Sequence, residues 1–137
     1  MSDARTAVTG SITSKDGTTI GYRQLGDGPG VVLLHGIMES AQSHMQLAEG
    51  LADTFTVYLP DRRGRGLSGP QGSDYRLEKE VEDLDALLTK TGAHYVFGVS
   101  PETDSVALGL ILCRFAHYFR VYGVQFDGAV RLLPQQR

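Results

Sequence analysis

Two short apolar runs, Val31-Val32-Leu33-Leu34 and Tyr95-Val96-Phe97-Gly98-Val99, most constrain how this 137-residue chain can fold. A run of this kind, bounded by turn residues and without polar alternation, fits a strand covered on both faces. Strands covered on both faces belong to parallel sheets flanked by helices. Phe55 to Leu59 alternates and is β-rich, which predicts a third strand. Between these runs lie two helical patterns. Gln46, Leu47 and Leu51 predict a helix over about Ala41 to Ala52, and Leu77, Val81, Leu84 and Leu88 recur at helical spacing. Asp74 or one of its neighbours is the candidate cap of that second helix. Its acidic residues Glu78, Glu80, Glu82, Asp83 and Asp85 read as a solvated face.

The ends of the chain complete the pattern. Ala7 to Ser14 and Thr18 to Gln24 flank Lys15-Asp16-Gly17, so they predict a β-hairpin with an Asp-Gly turn. Asp104 or Ser105 is a candidate cap for a helix running to about Phe119, Val121 to Phe126 reads as a further strand, and Pro134 to Arg137 as a polar tail. A hairpin followed by strand–helix units implies an α/β fold with a mostly parallel sheet and helices on both faces. No boundary divides residues 1–137, so one domain is expected. At this length a chain hides about 68–70% of its unfolded surface, enough for a sizeable core.

Charge and composition narrow the partners. A formal charge of −3 supplies no global attraction to nucleic acid or anionic membrane. Met1 to Gly10 has no apolar segment of the signal-peptide kind. Val106 to Cys113 is interrupted by Gly109 and is too short to span a bilayer. Cys113 is the single cysteine, which excludes an internal disulfide and fits a reducing, cytoplasmic setting. It reads as a buried structural thiol. No His, Cys or Asp cluster has metal-ligand spacing, and no cofactor is expected.

Each predicted parallel strand ends in residues that carry chemistry. The first runs into His35-Gly36-Ile37-Met38 and the second into Asp61-Arg62-Arg63-Gly64-Arg65-Gly66-Leu67-Ser68. The third runs into Ser100. In order and spacing these resemble the H-G-x turn, the D-x-R-G-x-G-x-S loop and the start of the nucleophile elbow of the α/β-hydrolase family, in its serine esterase and lipase branch. The resemblance covers about residues 11–100.

The resemblance implies a serine hydrolase of small ester or acyl substrates, with Ser100 as nucleophile. It implies an oxyanion hole using the backbone N–H of Ile37, with His35 and Gly36 shaping the turn and His35 not acting as base. The second oxyanion donor falls at Pro101, which has no N–H. Losing one such donor costs about 2.7–4 kcal/mol in the transition state. Pro101 also favours extended backbone at Ser100. Glu102 stands where the family has a glycine, and it crowds helix–strand packing. The family order is Ser, then acid, then His. Only His117 follows Ser100, inside a predicted helix, and no His follows Asp127.

The chain as written is therefore expected to be impaired or inactive, and to be a truncated or frame-shifted version of a hydrolase about twice its length. Three functional readings stand: an active or residually active serine hydrolase, a non-catalytic fragment or interaction module that self-associates through an open sheet edge, and a translation artefact after Ser100, such as a retained intron or a shifted frame. Serine at the nucleophile position argues against the haloalkane dehalogenase and epoxide hydrolase branches. Gly64 to Gly69 also matches G-x-G-x-x-G, but Pro70 and Gly72 oppose the helix a dinucleotide site needs. Arg62, Arg63 and Arg65 read as loop salt bridges or a solvated surface.

Overall fold

The computed structural model describes residues 6–36, 39–93, 95–100, 120–126 and 130–133. The predicted hairpin is present as β1 (Val8–Thr13) and β2 (Thr19–Leu25), paired antiparallel from Val8↔Gln24 to Thr13↔Thr19. Its turn uses the chemistry the sequence offered. The Asp16 carboxylate accepts the Thr18 N–H at 3.0 Å, and Gly17 takes the left-handed φ of 88°.

The chain continues through β3 (Gly30–Leu34), a 3₁₀ turn (Ala41–His44), α1 (Met45–Leu51), β4 (Thr56–Pro60), α2 (Leu77–Thr91), β5 (Tyr95–Ser100), β6 (Arg120–Phe126) and β7 (Val130–Leu133). The described strands form one sheet in the order β1-β2-β4-β3-β5-β6-β7. Its centre, β4-β3-β5-β6, is parallel, and the strands added at both ends are antiparallel.

Strand β3 shows why its sequence has no polar alternation. Val31 and Leu33 pack towards α1 with Leu25, Ala48, Val57 and Leu59. Val32 and Leu34 pack on the opposite face with Leu84, Leu87, Leu88 and Val96. Both faces are covered, so alternate residues from Val31 to Leu34 meet different helices and all four are buried. Burying each such Val or Leu contributes about 1.5–3 kcal/mol. Helix α2 then stops at Gly92, whose φ of 70° and N–H bond to the Leu88 carbonyl at 2.9 Å turn the chain into β5.

Several expectations need correction. The first helix opens with a 3₁₀ turn and becomes α-helical only at Met45. Of Asp74 and its neighbours, it is Arg76 that stands at the N-cap of α2, without a side-chain bond to the helix. Asp74 and Arg76 form an exposed ion pair at 3.6 Å. β7 had no counterpart in the sequence reading. The helix expected over about Asp104 to Phe119 and the tail Pro134 to Arg137 lie outside the described residues.

Candidate active site

The carboxyl ends of the parallel strands meet on one rim of the sheet. β3 and β5 pair in register, with Leu34 opposite Gly98. Gly36 lies two residues beyond Leu34, and Ser100 lies two beyond Gly98. β5 runs without interruption to Ser100, which pairs with Gln125 of β6. Its backbone is thus in regular strand pairing. Ile37, Pro101, Glu102, Cys113, His117 and Asp127 lie outside the described residues.

His35 is fully buried. Its Nδ1 lies 2.7 Å from the Gly36 carbonyl, and its Nε2 accepts the Arg62 N–H at 2.9 Å. A carbonyl can only accept and an amide N–H can only donate, so the ring carries its proton on Nδ1. Burial pushes its pKa below the ordinary imidazole value, against the raising effect of the Gly36 carbonyl bond. Both ring nitrogens are occupied, so the imidazole ties Gly36 to the start of the loop after β4.

The loop after β4 is organised by Asp61, also fully buried. Its Oδ1 accepts the Ala41 N–H at 2.8 Å. Its Oδ2 accepts the Leu67 N–H at 2.9 Å and Arg23 Nη1 at 3.0 Å. One carboxylate thereby ties the 3₁₀ turn, the glycine-rich loop and β2 together. The loop must pass close above it. A Cβ on Gly66 would stand 2.3 Å from the Asp61 carboxylate, and Gly66 has a φ of 50°. Ser68 closes the far side: its hydroxyl donates to the Asp61 carbonyl and accepts the Gly21 N–H at 3.0 Å. The G-x-G-x-x-G spacing thus serves a compact turn around a buried carboxylate, with no helix opening at it.

Arg62 and Arg63 correct the reading of α2 as having a uniformly wet acidic face. Arg62 forms a two-pronged pair with Glu80, at 2.5 and 2.7 Å. Arg63 forms another with Asp83, at 2.8 and 2.6 Å, and also reaches Asp16 at 2.9 Å in the hairpin turn. Arg62, Arg63, Glu80 and Asp83 are all buried. Glu80 also accepts the Tyr75 hydroxyl. Burial pushes the Glu80 carboxyl up, but the Arg62 guanidinium outweighs it and holds the group below its usual range. Tyr75 moves the other way: burial, then the bond to Glu80, push its phenol up to about 12. The salt-bridge part of the expectation for these arginines holds, and Glu78 and Asp85 do face solvent. The one available signal was arithmetic: Glu80 and Asp83 flank the apolar stripe of Leu84 and Leu87, close enough to be buried by a partner of opposite charge.

Among the described residues no group of three His, Cys, Asp or Glu side chains is placed to hold a metal ion. No helix of the described residues is long and apolar enough to cross a membrane.

A strand–turn rim of this form has known counterparts. Residues 29–100 match the model of the alpha/beta hydrolase fold family, and with more than half of its length matched the chain belongs to that family. It is similar to an uncharacterized hydrolase of Bacillus subtilis (strain 168), YraK, at 37% identity over 101 residues, 71% of this chain and 36% of that protein. A cis-3-alkyl-4-alkyloxetan-2-one decarboxylase of Shewanella oneidensis is 36% identical over 78 residues, 55% of this chain and 24% of that one. Among solved structures, an alpha/beta hydrolase from Sphaerobacter thermophilus DSM 20745 superposes with a TM-score of 0.71 at 38% identity. That match covers 83% of this chain and 44% of the other. The chain thus spans 24% to 36% of the length of these curated relatives.

Proposed function

We propose that this chain carries the nucleophile side of a serine-hydrolase site for small ester or acyl substrates, and that the site is impaired in the chain as written. The observation that carries this reading is the backbone at Ser100. Its register sets it level with the His35-Gly36 turn, where a nucleophile and an oxyanion donor must meet. Yet regular strand pairing runs through it. An exposed nucleophile sits on a sharp, strained strand-to-helix turn. Among the described residues positive φ occurs at glycines alone. Pro101 supplies no N–H, and the His35 ring is spent on its own turn, so the rim lacks one oxyanion donor and gains no base from His35. The reaction class needs no cofactor.

A fluorophosphonate probe tests it. The expected result is no labelling at Ser100 and no ester turnover above a Ser100→Ala control. Labelling abolished by Ser100→Ala overturns the impairment and leaves the hydrolase class standing. Restoring an N–H at Pro101 and a glycine at Glu102 is expected not to recover activity.

The sheet edges favour a second reading, a non-catalytic module that self-associates. On the outer strand β1 the Ser11 carbonyl accepts Lys90 Nζ at 2.7 Å, which blunts that edge. At the other end β7 pairs with β6, and no described strand pairs with its outer side. A second copy added there would extend the sheet. Sedimentation is expected to show concentration-dependent self-association, and a stable monomer rejects this reading.

A further inference from the structure

We infer that Glu80 is a positioning residue for the His35-Gly36 turn, acting through Arg62. This rests on the reading of that turn as the oxyanion turn. Three links carry it. The half-exposed Tyr75 donates its hydroxyl to Glu80 Oε2. Glu80 holds the Arg62 guanidinium through Nε and Nη2 at 2.5 and 2.7 Å. Arg62 then holds His35 at two points: its Nη1 donates to the His35 carbonyl at 3.2 Å, and its main-chain N–H donates to His35 Nε2 at 2.9 Å. His35 in turn donates from Nδ1 to the Gly36 carbonyl at 2.7 Å.

The chain of contacts is buried from Glu80 to His35, and the grip of Glu80 on Arg62 is charge-assisted. A planar guanidinium gripped on two nitrogens has its third nitrogen aimed by the same plane. The grip of Glu80 therefore sets where Nη1 points, and Nη1 points at the carbonyl that opens the turn. The adjacent pair serves as an internal contrast. Arg63 is gripped as firmly by Asp83, but its remaining contacts run to Asp16 in the hairpin and away from His35.

A buried ion pair can be exchanged for well-packed apolar residues with little loss of stability. That permits a test separating positioning from mere support. The double variant R62L/E80L is expected to melt within a few degrees of the wild type. Its His35 ring, followed by ¹⁵N NMR, is expected to change: the Nδ1–H exchanges with water at least about tenfold faster and the Nε2 resonance moves, because Nη1 no longer fixes the His35 carbonyl. Glu80→Gln, which keeps size and removes charge, is expected to shift the same resonances less, and Tyr75→Phe least. An unchanged His35 signature in a folded R62L/E80L or Glu80→Gln protein overturns the inference. If every variant that breaks the pair unfolds, its role is support of the fold and the inference also fails. The readout is a ring resonance, so it stands apart from labelling at Ser100: each experiment can fail without the other.

Discussion

The two apolar layers and the loop from Asp61 to Ser68 are built on one sheet but are held by different physics. In the layers, Val31, Val32, Leu87 and their neighbours are stabilised by area removed from water, which has no direction. In the loop, Asp61, Arg62 and Arg63 are stabilised by bonds with fixed donors and acceptors in a medium of low dielectric. A layer accepts another side chain of equal volume. The loop should not, because an isosteric change that alters one proton or one charge leaves a buried partner unmatched. The carboxyl end of β4 opens into a region of the second kind.

The sharpest way to break this comparison is an isosteric change at Asp61. Asp61→Asn preserves shape, yet it removes the charge facing Arg23 and presents an N–H to a site built from donors. Chemical denaturation is expected to show a loss of about 3–5 kcal/mol, the range for breaking a buried pair on one side. A loss under about 1 kcal/mol would show the loop to be as tolerant as a layer. Leu87 supplies the opposite case. Leu87→Ala is expected to cost about 2–5 kcal/mol through its cavity. Leu87→Met, which keeps volume, should cost under about 1.5 kcal/mol. If Leu87→Met matches Asp61→Asn, the distinction between the regions fails.

Acid should act on the polar region alone. Hydrogen bonds from the Arg63 guanidinium, and then from Thr18, hold the Asp16 carboxyl well below its usual range. Glu80 is held low by Arg62. Their stabilisation is present above the ordinary carboxylate pKa of about 4 and is lost as pH falls through the folded values. His35 adds to this from higher pH. Its folded pKa is depressed, so the unfolded chain takes up the proton first and stability begins to fall below about pH 6.5. Denaturant midpoints are expected to decline steadily from pH 7.5 to 4, with His35→Gln flattening the upper part of that slope. A pH-independent midpoint would remove the polar region from the balance of stability. The smallest expected effect is at its margin: Tyr75→Phe removes one bond to Glu80 and should cost about 0.5–1.5 kcal/mol.

Much of the framework was legible in the residues. The unbroken run Val31 to Leu34 declared a strand covered on two sides, and the order of turns predicted the hairpin and the parallel centre. The motifs at the ends of β3, β4 and β5 identified the family before any fold was known. The elements that escaped have physical reasons. β7 is four residues long, Val130–Leu133, and a strand of that length has too few alternations to stand out. The N-cap at Arg76 uses no side-chain chemistry, so composition marked the neighbourhood of Asp74 without fixing the capping residue.

Periodicity is a property of one helix, and it assigned Glu80 and Asp83 to water because they are charged. Whether a charge is buried depends on what another segment brings to it. Arg62 and Arg63 are eighteen and twenty residues away in sequence, and they meet α2 only once β4 is laid beside β3. The residues alone determined that the chain builds a two-sided, mostly parallel sheet of the α/β-hydrolase family. Those choices rest on the spacing of apolar residues and on turn chemistry, both local. Only the tertiary structure decided that His35 is locked by both ring nitrogens and that two acidic residues of α2 belong to a buried network. Those depend on directional bonds between distant segments, which no local pattern encodes.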